Sequence, residues 1–161
     1  MRTILPVAQK GEEILALKAT VITPSEFGSD WLYHLSEAMH ATMLERNGVG
    51  IAAPQVYVSK RIIIVASRAN PRYPDAPEML PIIMVNPEIL WMSEQQNLGE
   101  EGCLSVPNER GQVSRAQDIR VKYLNLEGDI FELDLSGFPA RIVQHEVDHL
   151  NGVLFVERLS V

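Results

Sequence analysis

The sequence has little cysteine, no excess of basic residues and no long apolar run. Cys103 is the one cysteine among 161 residues, so no disulfide can form within the chain, which favours a reducing compartment. The 14 Lys and Arg residues are outnumbered by 21 Asp and Glu residues, which gives a net charge of −7. We therefore expect no direct contact with nucleic acid through phosphates and no polybasic membrane surface.

The apolar runs are short. The longest, IIIVA at residues 62–66, is far below the roughly 20 residues that span a bilayer. The N-terminal stretch MRTILPVAQKGEE becomes charged too early for a signal peptide. These features predict a cytoplasmic protein with no membrane partner.

The chain length and the pattern of apolar residues predict one domain, residues 1–161, of the α+β class. Leu32, Leu35, Met39 and Met43 recur at helical spacing, and two stretches could cap this N-terminal helix, TPSE at 23–26 or GSD at 28–30. Asn47-Gly48 would end it.

The rest of the chain predicts antiparallel strands packed around a C-terminal helix. Strand-like segments are predicted at residues 62–66, 82–85, 88–91, 119–123, 131–135 and 153–156. Residues 67–81 contain four prolines and predict a surface loop. A final helix is predicted over about residues 136–152.

That final helix carries the sequence QHEVDH. Residues four apart on a helix share a face, so His145 and His149 can hold one metal ion, and Glu146 could take a proton from a bound water. Two ordinary histidines on an amphipathic helix are the alternative. Phe138 and Ile142 share their face, which favours the metal because two buried imidazoles each need a partner.

A third metal ligand is not fixed by this motif. The related pattern H-E-x-x-H-x-x-G-x-x-H would place a histidine at position 155, which is Phe155 here, and downstream only Glu157 offers a carboxylate. Upstream, Cys103 lies in EEGCLSVP. It could be a small buried hydrophobic residue, a nucleophile paired with histidine, or a thiolate ligand that leaves a fourth position open for water.

A third stretch, GVGIAAPQ at residues 48–55, is rich in small residues. It could be a simple turn after the helix, or a backbone held close to another group, but it lacks the P-loop pattern. The amide of Gln55 could polarise a carbonyl if it faces the metal.

Taken in order, GVGIAAPQ, EGCLS and QHEVDH resemble the three signature motifs of the peptide deformylase family. The resemblance implies a metal-dependent hydrolase that removes the N-formyl group from the N-terminal formylmethionine of newly made polypeptides, by attack of metal-bound water on the formyl carbonyl. It implies one divalent ion, with Fe²⁺ favoured and Zn²⁺ or Ni²⁺ able to replace it.

The resemblance also implies a role for individual residues. The implied metal ligands are Cys103, His145 and His149. The implied catalytic groups are Glu146 as general base and acid, with Gln55 and the N–H of Leu104 as oxyanion donors. The implied substrate-binding residues are Val49, Gly50, Gly102, Arg110, Phe138 and Ile142. Glu101 and Arg115 resemble a supporting ion pair behind the ligands.

The implied partners are nascent N-formylmethionyl peptides, met by a monomer that passes close to the ribosome. The chain stops at ERLSV, without the basic extension that many bacterial members use for docking, so we expect no tight ribosome binding by that route. Two rival hypotheses remain: a peptidase that cleaves internal amides, and a related protein that only binds peptide or metal. Phe155 and the small size disfavour the first, and the complete set of motif residues disfavours the second.

Overall fold

The computed structural model describes residues 3–160, which form two helices and two antiparallel sheets. The helices are α1 (Asp30–Glu45) and α2 (Gly137–Leu150). The strands are β1 (Gly50–Ala52), β2 (Ile62–Val65), β3 (Ile82–Met92), β4 (Gln96–Cys103), β5 (Val106–Ala116), β6 (Asp118–Leu124) and β7 (Ile130–Ser136). This confirms the predicted α+β class, with antiparallel strands around a C-terminal helix and an N-terminal helix.

The larger sheet has the strand order β1-β2-β3-β6-β7, and β4 pairs with β5 in a separate hairpin. Strand β1 therefore lies at one edge of its sheet, and β4 has a strand partner on one side only among the described residues. Both of these edges border one cleft, which α2 also lines.

Strand β2 is buried on both faces, which explains its uninterrupted apolar sequence. Ile63 and Val65 pack with α2 on one face, while Ile62 and Ile64 pack with α1 on the other. A third apolar cluster, which includes Cys103 and Phe155, lies under the β4–β5 hairpin.

The helix boundaries follow from their caps. The hydroxyl of Ser29 accepts a hydrogen bond from the N–H of Leu32, so α1 begins at Asp30, whereas the cap at Thr23 serves a 3-10 turn, Pro24–Glu26. Gly152 follows α2 with φ of +77°, and a Cβ there would lie 2.5 Å from the carbonyl oxygen of Ala16. Only glycine fits this turn.

Three predicted strand segments differ from the structure. Residues 153–156 are not a strand, because a 3-10 turn, Phe155–Arg158, forms where the Glu157 carboxylate accepts the N–H of Leu154 at 2.8 Å. Residues 82–85 and 88–91 belong to one strand, β3, whose register shifts between Val85 and Glu88. The shift includes Pro87, which has no N–H to donate to the ladder.

The structure lacks a candidate membrane span: no helix within residues 3–160 is both long enough and apolar enough to cross a bilayer.

Candidate metal centre

Cys103, His145 and His149 meet in the interior, at the contact of α2 with the end of β4. Their potential ligand atoms all lie within 4.8 Å of one another, and Cys103 Sγ is 3.3 Å from His149 Nε2. The three residues are 3%, 8% and 1% exposed. Ligand atoms around a tetrahedral ion are roughly 3.5 Å apart, so these side chains fit one metal ion with little movement.

The charge state of the cluster also suits a metal. Burial would raise the pKa of the Cys103 thiol, but His149 and His145 hold that pKa well below its ordinary value. The Nδ1 of His149 is buried and has no hydrogen-bond partner among the described residues. A thiolate beside two imidazoles, deep in the protein, is a donor set that a divalent cation would stabilise.

A buried ion-pair network orients His145. Its Nδ1 lies 2.9 Å from Glu101 Oε1, which leaves Nε2 for the centre of the cluster. Glu101 also accepts from Arg115, by two bonds of 2.9 Å, and from Arg141 at 2.6 Å. Although burial opposes it, Arg115 and His145 keep the pKa of Glu101 below its ordinary range. The predicted Glu101–Arg115 pair is present, and Asp148 accepts from the same guanidinium at 2.6 Å.

Glu146 points into the cleft beside the cluster. It is 4% exposed, and its Oε1 has no hydrogen-bond partner within residues 3–160. Burial raises the pKa of its carboxyl above the ordinary value, against the pull of His145 and His149. Its Oε2 approaches Gly50 so closely that a Cβ there would be 2.7 Å away, which explains the second glycine of GVGIAAPQ.

Gln55 is fixed with its amide N–H groups toward the cluster. Its Oε1 accepts the N–H of Ala52 at 2.9 Å, while Nε2 donates to Ser105 Oγ at 3.1 Å and to Cys103 Sγ at 3.5 Å. Leu104 lies in the tight turn between β4 and β5. Both predicted oxyanion donors therefore lie next to Cys103 and line the same cavity.

A cavity of about 30 Å³ opens onto the cluster. The predicted site residues that line it are Val49, Gly50, Gln55, Gly102, Cys103, Leu104, Phe138, Ile142, His145 and Glu146. Two predicted residues lie outside this lining: His149 is buried behind Cys103, and Arg110 lines a neighbouring cavity of about 330 Å³. The structure thus brings together residues from all three motifs.

Four residues of the site were missed by the sequence analysis: Arg72, Tyr73, Ser105 and Arg141. Arg141 is four residues before His145 on α2, so an arginine on the buried helix face was a signal that could have been used. Ser105 lies within the quoted motif, where its contact with Gln55 was not foreseeable. Arg72 and Tyr73 come from the loop at 67–81, whose sequence has no periodicity to indicate which side chains turn inward.

The whole chain is similar to known proteins of one family. The sequence profile described as Polypeptide deformylase matches residues 4–161. Peptide deformylase 2 of Shewanella oneidensis is 49% identical over 154 residues, which cover 96% of this chain and 83% of the relative. Peptide deformylase 2 of Nostoc sp. is 47% identical over 157 residues, 98% of this chain and 87% of the relative.

Solved structures give the same result. The class I type b peptide deformylase from Acinetobacter baumannii bound to Met-Ala-Ser superposes with a TM-score of 0.97 at 68% identity, covering 99% of this chain and 100% of that one. The peptide deformylase from Thermotoga maritima gives a TM-score of 0.87 at 35% identity, covering 99% and 100%.

Proposed function

Because this chain belongs to the peptide deformylase family, we propose that Cys103, His145 and His149 hold its catalytic metal ion. The protein is a metal-dependent hydrolase that removes the N-formyl group from nascent polypeptides. The observation that supports the ligand assignment is the convergence of one thiol and two imidazoles beside an unpartnered carboxylate, at the end of one cavity.

We propose Fe²⁺ as the ion in the cell, with Zn²⁺ or Ni²⁺ able to occupy the same ligands. A thiolate with two imidazoles accepts each of these ions and leaves room for a fourth ligand. When bound, such an ion supplies a Lewis acid that polarises an oxygen atom and makes a water molecule more acidic.

Glu146 is the proposed proton carrier. Its buried carboxylate can take a proton from the attacking water and return it to the amine that leaves as the formyl C–N bond breaks. No other side chain competes for Oε1 within the described part of the chain, so this oxygen is available to the water.

Gln55 and the backbone N–H of Leu104 are the proposed donors to the oxygen of the formyl carbonyl as negative charge develops on it. Gln55 is held through its own carbonyl by Ala52, so its Nε2 stays aimed at the site. Nε2 donates to Ser105 Oγ at 3.1 Å and to Cys103 Sγ at 3.5 Å, so the longer bond to sulfur would be exchanged for one to the formyl oxygen. One such donor is worth about 3 kcal/mol in comparable sites.

An extended peptide can bind between the two sheet edges at the cleft. Gly50 belongs to β1 and Gly102 to β4, and each strand is paired on one side only among the described residues. We propose that the substrate main chain pairs with Val49, Gly50 and Gly102, as an added strand. The methionine side chain would then enter between Phe138 and Ile142, and Arg110 would lie beside the peptide downstream.

We further propose that residues 1–161 are one catalytic domain, which works as a monomer in the cytoplasm and passes close to the ribosome only transiently. One chain supplies every residue of the proposed site, which supports the monomer. A buried thiol that must stay reduced supports a reducing compartment. Light scattering after gel filtration would give the mass: about 18 kDa supports the monomer, whereas about 36 kDa would contradict it.

The test of the function uses protein purified without oxygen and loaded with Fe²⁺. Release of free amine from formyl-Met-Ala-Ser is followed beside acetyl-Met-Ala-Ser and a peptide with only internal amides. We expect rapid release from the formyl peptide alone, its loss with a chelator, and its return when the ion is restored. Cleavage of the internal amide would instead support the peptidase, and ion binding without any reaction would support the binding protein.

A further inference from the structure

The hydroxyl of Tyr73 contacts the main-chain N–H and C=O of Gly102, with which we propose that the substrate pairs. The N–H of Gly102 donates to the Tyr73 hydroxyl at 2.9 Å, and the hydroxyl lies 3.4 Å from the carbonyl oxygen of the same residue. A neighbouring strand would satisfy these same two groups with one C=O and one N–H. The phenol thus takes the place of a paired peptide residue at the open edge of β4.

The ring of Tyr73 packs against Phe138 and Arg110. Its centroid is 5.0 Å from that of Phe138, and the guanidinium carbon of Arg110 lies 4.8 Å from it on the ring face. Both partners are residues that we assign to substrate binding. The guanidinium also packs directly over Gly102, because a Cβ there would lie 2.6 Å from Arg110 Nη1.

The position of Tyr73 is set by its loop. The side chain of Asn70 accepts the N–H groups of Arg72 and Tyr73 at 2.9 and 3.1 Å, and Ser67 Oγ donates to the carbonyl of Pro77 at 2.6 Å. The loop thus carries its own turn, and Tyr73 extends from that turn into the cleft.

The cavity at the metal cluster is narrow, and Tyr73 is one of the residues that line it. A volume of about 30 Å³ holds one or two water molecules, whereas a methionine side chain has four heavy atoms. Among the lining residues, Arg72 and Tyr73 come from the loop, and the rest come from strands, helices or the turns that join them. Movement of Tyr73 would free the edge of β4 and would widen the cavity that this residue lines.

We propose that Tyr73 competes with the peptide main chain for Gly102, so that substrate enters and product leaves by exchanging places with its hydroxyl. This inference rests on the proposed pairing of the substrate with Gly102. The exchange lowers the affinity for substrate and for product alike, which favours departure of the deformylated peptide. It also keeps the N–H and C=O of Gly102 satisfied when no peptide is bound.

The test compares Tyr73→Phe with Tyr57→Phe in the metal-loaded protein. Tyr73→Phe keeps the ring against Phe138 and Arg110 and removes only the hydroxyl. Tyr57 is the matched control, because it is 46% exposed and its hydroxyl donates to Glu12 at 2.7 Å, outside the cleft. Calorimetry with the product Met-Ala-Ser gives Kd, and turnover of formyl-Met-Ala-Ser gives KM and kcat.

We expect Tyr73→Phe to bind Met-Ala-Ser about twofold to tenfold more tightly, the worth of about one net hydrogen bond, and to lower KM by a similar factor. Tyr57→Phe should match the wild type. Weaker product binding in Tyr73→Phe would show that the hydroxyl contacts the bound peptide, and unchanged binding would show that it does not compete. Either result overturns the proposal.

A second measurement does not depend on turnover. With ¹³C-labelled tyrosine, the ring signals of Tyr73 should shift when Met-Ala-Ser is added to the wild type, because the ring leaves Phe138 and Arg110. Signals that stay in place while the peptide binds would overturn the exchange. If the wild type binds Met-Ala-Ser but does not deformylate formyl-Met-Ala-Ser, the proposed function fails, while the Kd values of Tyr73→Phe and the wild type still test the exchange. If the wild type does not bind Met-Ala-Ser at all, the proposed exchange is overturned.

Discussion

Glu146 is the side chain on which the proposed chemistry depends most. We expect Glu146→Gln to reduce deformylation of formyl-Met-Ala-Ser by at least about a hundredfold, since the amide has the same shape but cannot take a proton. The metal content should stay at the wild-type level, because the ligands are untouched. The rate and the ion content are measured on the same preparation, with exposed Glu132→Gln as control. A variant that keeps full activity would remove Glu146 from the mechanism.

Arg141 is a positioning residue, because it acts on the metal cluster through Glu101. Arg141→Met removes a 2.6 Å bond to a buried carboxylate and leaves that carboxylate less neutralised. We expect a loss of about 3 kcal/mol in unfolding free energy and a tenfold to hundredfold weaker ion affinity. Denaturant titration and competition with a chelator measure the two effects.

The control for Arg141→Met is Arg120→Met. Arg120 also pairs with a carboxylate, Asp134 at 2.8 Å, but both side chains are more than half exposed. Its loss should cost less than about 1 kcal/mol and should leave the ion affinity unchanged. Equal effects of the two variants would contradict a special role for the buried network.

The packing of β1 against α2 fixes the distance between Gly50, where we propose that the substrate pairs, and the carboxylate of Glu146. In Gly50→Ala the new Cβ would lie 2.7 Å from Glu146 Oε2 and from Ile142 Cγ2. We expect about 1–3 kcal/mol of destabilisation and a fall in kcat, because the carboxylate must move. Thermal unfolding and turnover are measured together.

Gly111→Ala on β5 is the matched control for Gly50→Ala. Its Cβ would also meet a close neighbour, Leu159 Cδ2 at 2.5 Å, but that atom ends a flexible side chain that can turn away. It should keep wild-type kcat. A Gly50→Ala variant as active as this control would show that the β1–α2 contact does not position Glu146.

Sequence patterns predicted those elements whose burial is either periodic or continuous. The stripe on α1 and the doubly buried β2 have clear patterns, and both were found. Strands β4 and β5 were missed because their exposed residues follow no period of two and their sequences, such as QNLGEEGC, are polar and contain glycine. The turn at residues 155–158 was missed because a single side-chain bond from Glu157 decides it.

The structure brings most of the predicted site residues together, whereas the β4–β5 hairpin was not predicted. Cys103, His145 and His149 lie in the three-motif pattern and have side chains that commonly bind metals. Their residue types therefore indicate a metal site before the fold is known. The contacts of Tyr73 and Arg141 depend on the three-dimensional path of the loop and the hairpin. No local spacing encodes those contacts.

The whole molecule should be stabilised by its ion, because the proposed ligands come from β4 and α2 and meet only in the folded state. An ion at a hundred times its Kd adds about 2.7 kcal/mol to the free energy of unfolding. We therefore expect a chelator to lower Tm, and ion addition to restore it. In Cys103→Ser the increase in Tm on ion addition should be smaller. A wild-type Tm that does not change with the ion would contradict a metal site that joins β4 to α2.

The most direct test of the account is X-ray absorption at the edge of the bound ion, measured on the loaded wild-type protein. The account predicts one sulfur neighbour, at about 2.3 Å if the ion is Zn²⁺, together with two imidazole nitrogens. It also predicts that Cys103→Ser loses the sulfur and keeps the nitrogens. An ion with only nitrogen and oxygen neighbours in the wild type would show that Cys103, His145 and His149 do not bind the metal together.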